Sequence, residues 1–156
     1  MRLKLSIFIA KFSALLSKKL LRRSGETIAG RVLLALYPKA ISELAKGKKI
    51  ICVSGTNGKT STTKALVSII SKLGSVATSP SGSNLERGVA AALMTKSEYA
   101  VLEVDELHLS RVIDEAKPKV VLLLNLTRDQ LHRMHEVKRV ADRWAKSASA
   151  ASETLF

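Results

Sequence analysis

The residues with the clearest chemical potential are Val53-Ser54-Gly55-Thr56-Asn57-Gly58-Lys59-Thr60. Gly55 and Gly58 let the backbone turn sharply and let another group approach where a Cβ would obstruct it. Amide N–H groups freed by such a turn can converge on phosphate oxygens, at the positive end of the helix that follows. The Lys59 ammonium would add a point charge for the terminal phosphates, and the Thr60 hydroxyl a ligand for Mg²⁺. The eight-residue phosphate loop asks for glycine at position 53, where this chain has Val53, so the match is to a shorter G-T-N-G-K-T form. The competing reading is an ordinary strand–turn–helix corner with a chance Gly-Lys-Thr. The strand before it and the helix after it favour phosphate binding.

Those flanking elements belong to a longer alternation. Ile50-Ile51-Cys52-Val53 is a β-branched run suited to a strand buried on both faces. A helix is expected from about Thr60 to Leu73, with Gly74 as its C-cap. Ser75–Thr78, Tyr99–Val104 and Val120–Leu124 read as further strands, and Leu85–Met94, Leu107–Ala116 and 137–150 as helices. Before them, residues 27–46 read as a helix interrupted near Pro38. Strands alternating with helices predict an α/β fold, a mainly parallel sheet flanked by helices. No internal repeat is present.

Glu103 ends an apolar strand, where a carboxylate is costly unless it is paired or bound to a cation. The carboxyl ends of parallel strands are also where ligands bind in open α/β sheets. A surface carboxylate at a strand end is the plainer alternative, and Asp105 and Glu106 are neighbouring candidates for the same ion. Asn125 and Asp129 follow the strand 120–124 and fall on the same sheet edge. His132 and His135 have a spacing that could bind metal on a helix face, but without further ligands they read as exposed loop residues. His108 reads as structural or exposed. Cys52 reads as a small buried hydrophobe and Trp144 as a packing residue.

The string Gly55-Thr56-Asn57-Gly58-Lys59-Thr60 resembles the nucleotide loop of the Mur ligases and the related folylpolyglutamate synthases. Three further segments are similar to the MurT-type subunits of bacterial lipid II isoglutaminyl synthase: Ser81–Gly88, Val101–Glu106 and Asn125–Leu131. The resemblance implies a Mur ligase central domain that uses ATP and Mg²⁺ to activate a carboxylate as an acyl phosphate, which an amine then attacks. It implies that Gly55, Thr56, Asn57, Gly58, Lys59, Thr60 and Ser61 hold the ATP phosphates, and that Thr60 and Glu103 hold Mg²⁺. Lys59 and Glu103 would be the catalytic residues. Asn84 and Arg87 would face the phosphorylated donor, Arg87 being the side chain there most able to meet a phosphate; a plain solvated connection is the alternative. Where other Mur ligases carry a metal-binding histidine, MurT-type chains have glutamine, matching Gln130. The usual continuation departs here to His132-Arg133-Met134-His135.

For the whole protein the resemblance implies amidation of D-glutamate in lipid II. A GatD-type glutaminase partner would supply ammonia in the cytoplasm, at the inner face of the bacterial membrane. Another Mur ligase, a folylpolyglutamate synthase or a non-catalytic membrane-surface module are the alternatives. MurT-type proteins are much longer, with zinc-binding cysteines, adenine contacts and a C-terminal catalytic domain. The chain is therefore expected to be the N-terminal part of such a ligase, inactive alone. Two parts are expected: a basic helical arm over 1–47, and the start of the ATP-binding domain over 48–156.

Composition bounds these readings. The 156 residues are 46% hydrophobic and 25% charged, ordinary for a folded domain. No apolar run reaches the roughly 18 residues of a spanning helix. One cysteine excludes an intramolecular disulfide and a multi-cysteine zinc site within this chain. The net charge of +13 sits mostly in residues 1–50, where 12 basic side chains meet two acidic ones. Nucleic acid is not an expected partner, because the few aromatic residues are scattered and no base-stacking motif occurs. Within residues 1–23, Leu5, Ile9, Phe12, Leu16 and Leu20 can share a helical face. That face could dock on the protein's own body or lie on an anionic membrane surface, or the segment could be a cleaved transit peptide.

Overall fold

A computed structural model describes residues 2–21, 25–79, 83–126, 142, 144–145 and 153–155. Its strands are β1 (Lys49–Ser54), β2 (Val76–Thr78), β3 (Tyr99–Glu103), β4 (Val120–Leu123) and β5 (Glu153–Leu155). They form one sheet in the order β2-β3-β1-β4-β5, with every pairing parallel. The helices bounded among the described residues are α1 (Arg2–Leu21), α2 (Gly25–Leu36), α3 (Ala40–Ala45), α4 (Lys59–Ile70), α5 (Glu86–Leu93) and α6 (Leu109–Ala116). This is the expected α/β architecture, a parallel sheet flanked by helices and preceded by basic N-terminal helices.

The apolar run of β1 follows from cover on both faces. Ile50 and Cys52 join Ala100, Leu102, Val121 and Leu123 in a cluster with side chains of α2, α3, α5 and α6. Ile51 and Val53 point the other way, packing with Val101, Leu122 and the α4 residues Leu66, Val67 and Ile70. Successive side chains alternate across the sheet, so a strand with two covered faces needs apolar residues throughout. Each large side chain fully buried there, such as Leu33, Leu93 or Leu102, contributes about 1.5–3 kcal/mol. The sheet is thus a stiff floor for the loops at its carboxyl edge.

The chain leaves β1 through α4 towards β2, returns to β3, and then crosses to β4 on the opposite side of β1. Strand order therefore reverses at β1, and the crevice beyond its carboxyl end is the topological switch point where such sheets bind ligands.

Several boundaries differ from the sequence expectation. The interruption expected before Pro38 is present, with α2 ending at Leu36 and α3 starting at Ala40, because proline disfavours helical backbone in the residue before it; the start differs, at Gly25 and not residue 27. Helix α4 ends at Ile70, with Ser71 as C-cap. Gly74 is no left-handed cap, since its φ is not among the positive ones. A Cβ there would stand 3.0 Å from the Glu98 carboxylate and 3.1 Å from the Tyr99 ring, so those two side chains would have to shift by a few tenths of an ångström to admit it. Strand β5 has no clear sequence signal and nevertheless extends the sheet beyond β4. Of the helix expected over 137–150, the described positions 142, 144 and 145 are helical.

Helix α1 packs along α2, but not through the stripe its spacing suggests. Its inward positions are Leu3, Ser6, Ile7, Ala10 and Ser17, with Ala10 fully buried. Leu5, Phe8, Ile9, Phe12, Leu15 and Leu16 are all exposed. Helix α2 is tied closely to α5: a Cβ on Gly30 would fall 1.7 Å from the Arg87 carbonyl oxygen.

Candidate functional site

The loop from Ser54 to Lys59 sits in the crevice at the switch point. Ser54 is buried and donates from Oγ to the Val104 carbonyl at 2.9 Å, tying the exit of β1 to the exit of β3. Gly55 has φ +144° and Gly58 φ +85°, backbone angles that L side chains rarely adopt. Gly55 also lies so near β4 that a Cβ would come within 2.9 Å of the Asn125 carbonyl oxygen. That approach admits a backbone hydrogen bond from Thr56 N–H to Asn125 O at 2.7 Å.

Asn125 secures the next residue as well. Its Oδ1 accepts from the Asn57 N–H at 3.0 Å, and its Nδ2 donates to the Asn57 carbonyl at 3.1 Å. The loop is thereby fastened to the end of β4. Asn57 and Gly58 are exposed, while Thr56, Lys59 and Thr60 are half-buried. The corner opens to solvent. Helix α4 begins with Lys59, Thr60 and Ser61 and has no acidic residue in its first turn, so its positive end is not neutralised there.

The expected metal-binding pair is in contact. Thr60 Oγ1 donates to Glu103 Oε2 at 2.9 Å. Glu103 is 8% exposed, so its carboxylate is desolvated and needs this partner. Lys59 folds back over its loop, donating to the Gly55 carbonyl and to the Thr56 carbonyl at 3.1 Å. Its ammonium also lies 3.4 Å from Glu106 Oε2, with both side chains only 11% exposed. Glu106 is thus a partner of Lys59, a role that its position beside Asp105 does not announce. Its carbonyl accepts from Trp144 Nε1 at 3.1 Å. Trp144 is buried as expected, and this hydrogen bond is an additional tie.

The remaining candidates are less central. Asn84 approaches through its backbone, where its carbonyl accepts from Asp105 N–H at 2.7 Å. Arg87 is exposed, at the start of α5. His108 is half-buried and pairs through Nδ1 with Glu86 Oε1 at 3.1 Å, while Arg111 meets the other oxygen of Glu86 at 2.9 Å. Cys52 is fully buried, and loss of solvation pushes its thiol pKa up to about 12, which keeps it protonated and inert. Asp129, Gln130, His132 and His135 lie outside the described residues, as do positions 81 and 82 of the Ser81–Gly88 segment. Among the described residues no three His, Cys, Asp or Glu side chains form a metal cluster.

The signature described as the Mur ligase middle domain matches residues 53–149, more than half of the chain. The chain belongs to the Mur ligase family. Among curated Mur ligases, it is 39% identical over 120 residues to the MurT subunit of the glutamine-hydrolysing lipid II isoglutaminyl synthase of Streptococcus pneumoniae. That alignment covers 72% of this chain and 27% of the relative. The MurT subunit of Staphylococcus aureus strain N315 is 29% identical over 151 residues, covering 92% of this chain and 34% of the relative. A UDP-N-acetylmuramoylalanine–D-glutamate ligase of Clostridioides difficile is 35% identical over 121 residues, covering 76% of this chain and 25% of the relative. This Mur ligase chain therefore spans about a third or less of the length of these relatives. The fold matches a solved Mur ligase, MurF of Thermotoga maritima in complex with ADP. The TM-score is 0.65 at 23% identity, covering 82% of this chain and 32% of that structure.

Proposed function

We propose that this chain is the ATP-phosphate-binding portion of a MurT-type amide ligase of peptidoglycan synthesis. The observation that carries the reading is the open, glycine-built corner Gly55–Ser61 at the switch point, with Lys59 and the Thr60–Glu103 pair on its rim. Because the Thr56 and Asn57 amides are committed to Asn125, those of Gly58, Lys59, Thr60 and Ser61, at the start of α4, would meet the phosphates. Lys59 would exchange its loop carbonyls for phosphate oxygens, a trade of one set of acceptors for a more strongly charged one.

The residues suit Mg²⁺. Mg²⁺ prefers hard oxygen ligands and commonly takes one or two from protein, the rest from phosphates and water. Two adjacent oxygens about 2.1 Å from an octahedral Mg²⁺ stand roughly 3 Å apart, and Thr60 Oγ1 and Glu103 Oε2 are 2.9 Å apart. Bound there, the ion would neutralise charge on the phosphates. Asn84, Arg87 and Asp129 remain candidate contacts to the donor and the site edge.

For the whole ligase the reading is transfer of the ATP γ-phosphoryl group to the α-carboxylate of D-glutamate in lipid II. Attack by ammonia on the acyl phosphate would then form the amide and expel phosphate. A glutaminase subunit of GatD type would supply the ammonia, on the cytoplasmic side. The names of the MurT relatives support the glutamine-hydrolysing partner and the lipid II substrate. Residues 1–47 would serve as a basic arm and 48–156 as the start of the nucleotide domain.

The test is calorimetric titration of the purified chain with ATP and MgCl₂. Lys59→Ala is expected to weaken binding by about 1–3 kcal/mol, and Glu103→Gln to remove most of the Mg²⁺ dependence. No ATP binding by the parent chain would overturn the proposal.

A further inference from the structure

Among the described residues nothing covers the outward face of α1, which is too apolar for a solvated helix. Leu5, Phe8, Ile9, Phe12, Leu15 and Leu16 are between 40% and 69% exposed. At 100° per residue they fall within one sector of the helix. The opposite sector, carrying Ser6, Ala10 and Ser17, is the one that docks on the body. Six bulky apolar side chains have thus been left outside, while Ser6, Ala10 and Ser17 share the inward sector with Leu3 and Ile7, the reverse of the balance that a helix built only for packing would show. Contiguous exposed apolar surface of this kind marks an interaction site.

Charge identifies the occupant. Lys4 and Lys11, seven residues apart, are exposed and border the apolar face along one margin. Residues 1–23 contain seven basic side chains and no acidic one. Two copies of such a helix would repel each other face to face. A surface that offers hydrocarbon beneath a layer of negative charge would satisfy both the leucines and phenylalanines and the lysines. Among the described residues no helix is long and apolar enough to cross a membrane, so the helix would lie in the interface plane. A straight helix of 20 residues is about 30 Å long, long enough to present all six apolar side chains side by side.

We infer that α1 is an anionic-membrane docking helix that seats the folded domain on a bilayer surface through Phe8, Phe12, Leu15 and Leu16, with Lys4 and Lys11 at the headgroups. The inference does not rest on the ligase reading, because docking needs no nucleotide.

Co-sedimentation of the full chain with vesicles of phosphatidylglycerol and phosphatidylcholine in equal parts, and with pure phosphatidylcholine vesicles, tests it without ATP. Strong binding is expected to the first and at least tenfold weaker binding to the second. The variant F8Q/F12Q/L15Q/L16Q changes only exposed positions and should keep the parent's circular dichroism and melting temperature while losing vesicle affinity at least tenfold. K4E/K11E should lose the preference for the anionic vesicles. Failure of the parent to bind anionic vesicles would overturn the inference. So would equal binding by the fourfold glutamine variant, or a parent dimer in sedimentation analysis that the variant abolishes with no vesicle binding. Loss of ATP binding with vesicle binding intact would count against the ligase proposal alone.

Discussion

The Gly55–Ser61 corner fastens its backbone to the end of β4 through glycine geometry and hydrogen bonds exchanged with Asn125, whereas α1 turns a mostly small face inward and six of its bulky apolar side chains outward. The first arrangement is fixed by what a backbone can do within a few residues. The second depends on what the helix is set against. Local chemistry therefore dictates the loop, and tertiary context chooses the face of the arm.

The most forceful way to break that contrast is to put a methyl group into the loop. Gly55→Ala adds a Cβ at φ +144° that would also meet the Asn125 carbonyl oxygen at 2.9 Å and Leu124 Cβ at 3.0 Å. Strained φ costs of order 1–3 kcal/mol, and the clash with β4 adds to it. A loss of about 3 kcal/mol or more is expected in urea unfolding. Gly47→Ala is the control: its φ is +76° but nothing lies within 4 Å of the new Cβ, so about 1 kcal/mol is expected. Equal costs at the two positions would mean that the loop does not depend on its closeness to β4.

Much of this was legible in the residues. The β-branched run 50–53, the two glycines and Lys59-Thr60 together require a strand, a turn and a helix start, and β1 and α4 supply them. The family resemblance pairs Glu103 with Thr60, and the place of Glu103 at the carboxyl end of a parallel strand, the edge from which the loop leads into α4, agrees with it. The pairing of Glu106 with Lys59 was not legible, since it depends on how the segment after β3 bends back over the loop. The clamp by Asn125 was visible only as a position on the same edge, because its amide geometry requires the β1–β4 register. In α1, apolar spacing predicted a shared face, and Leu5, Ile9, Phe12 and Leu16 do share one. Which of two faces would be buried is set by the close approach of α2, where Ala10 fits and Phe12 would not.

That last point can be sharpened by enlarging the inward face. Ala10 has no exposed surface, so Ala10→Leu inserts extra methylene volume between α1 and α2. Overpacking of this kind costs about 1–3 kcal/mol, and a drop near the middle of that range is expected in the same unfolding experiment. Phe8→Gln, 69% exposed, should change stability by less than about 0.5 kcal/mol. The opposite ranking would mean that the bulky stripe, and not the small one, faces the body.

An effect confined to alkaline pH concerns the strand that feeds the loop. The Cys52 thiol is fully buried and its pKa is raised to about 12 from an ordinary value near 9. In the unfolded chain the thiol ionises first, so between those two values the unfolded state binds fewer protons than the folded one. Stability must then fall as pH rises, by up to roughly 1.4 kcal/mol per pH unit from this group alone. Below pH 8 the contribution is flat, because both states keep the proton. Cys52→Ala removes the titration and also a little packing, so its melting temperature should start lower at pH 7 and then decline less steeply than the parent's between pH 9 and 10.5. Parallel declines would show that water reaches the thiol, and with it the face of β1 that packs against α2, α3, α5 and α6.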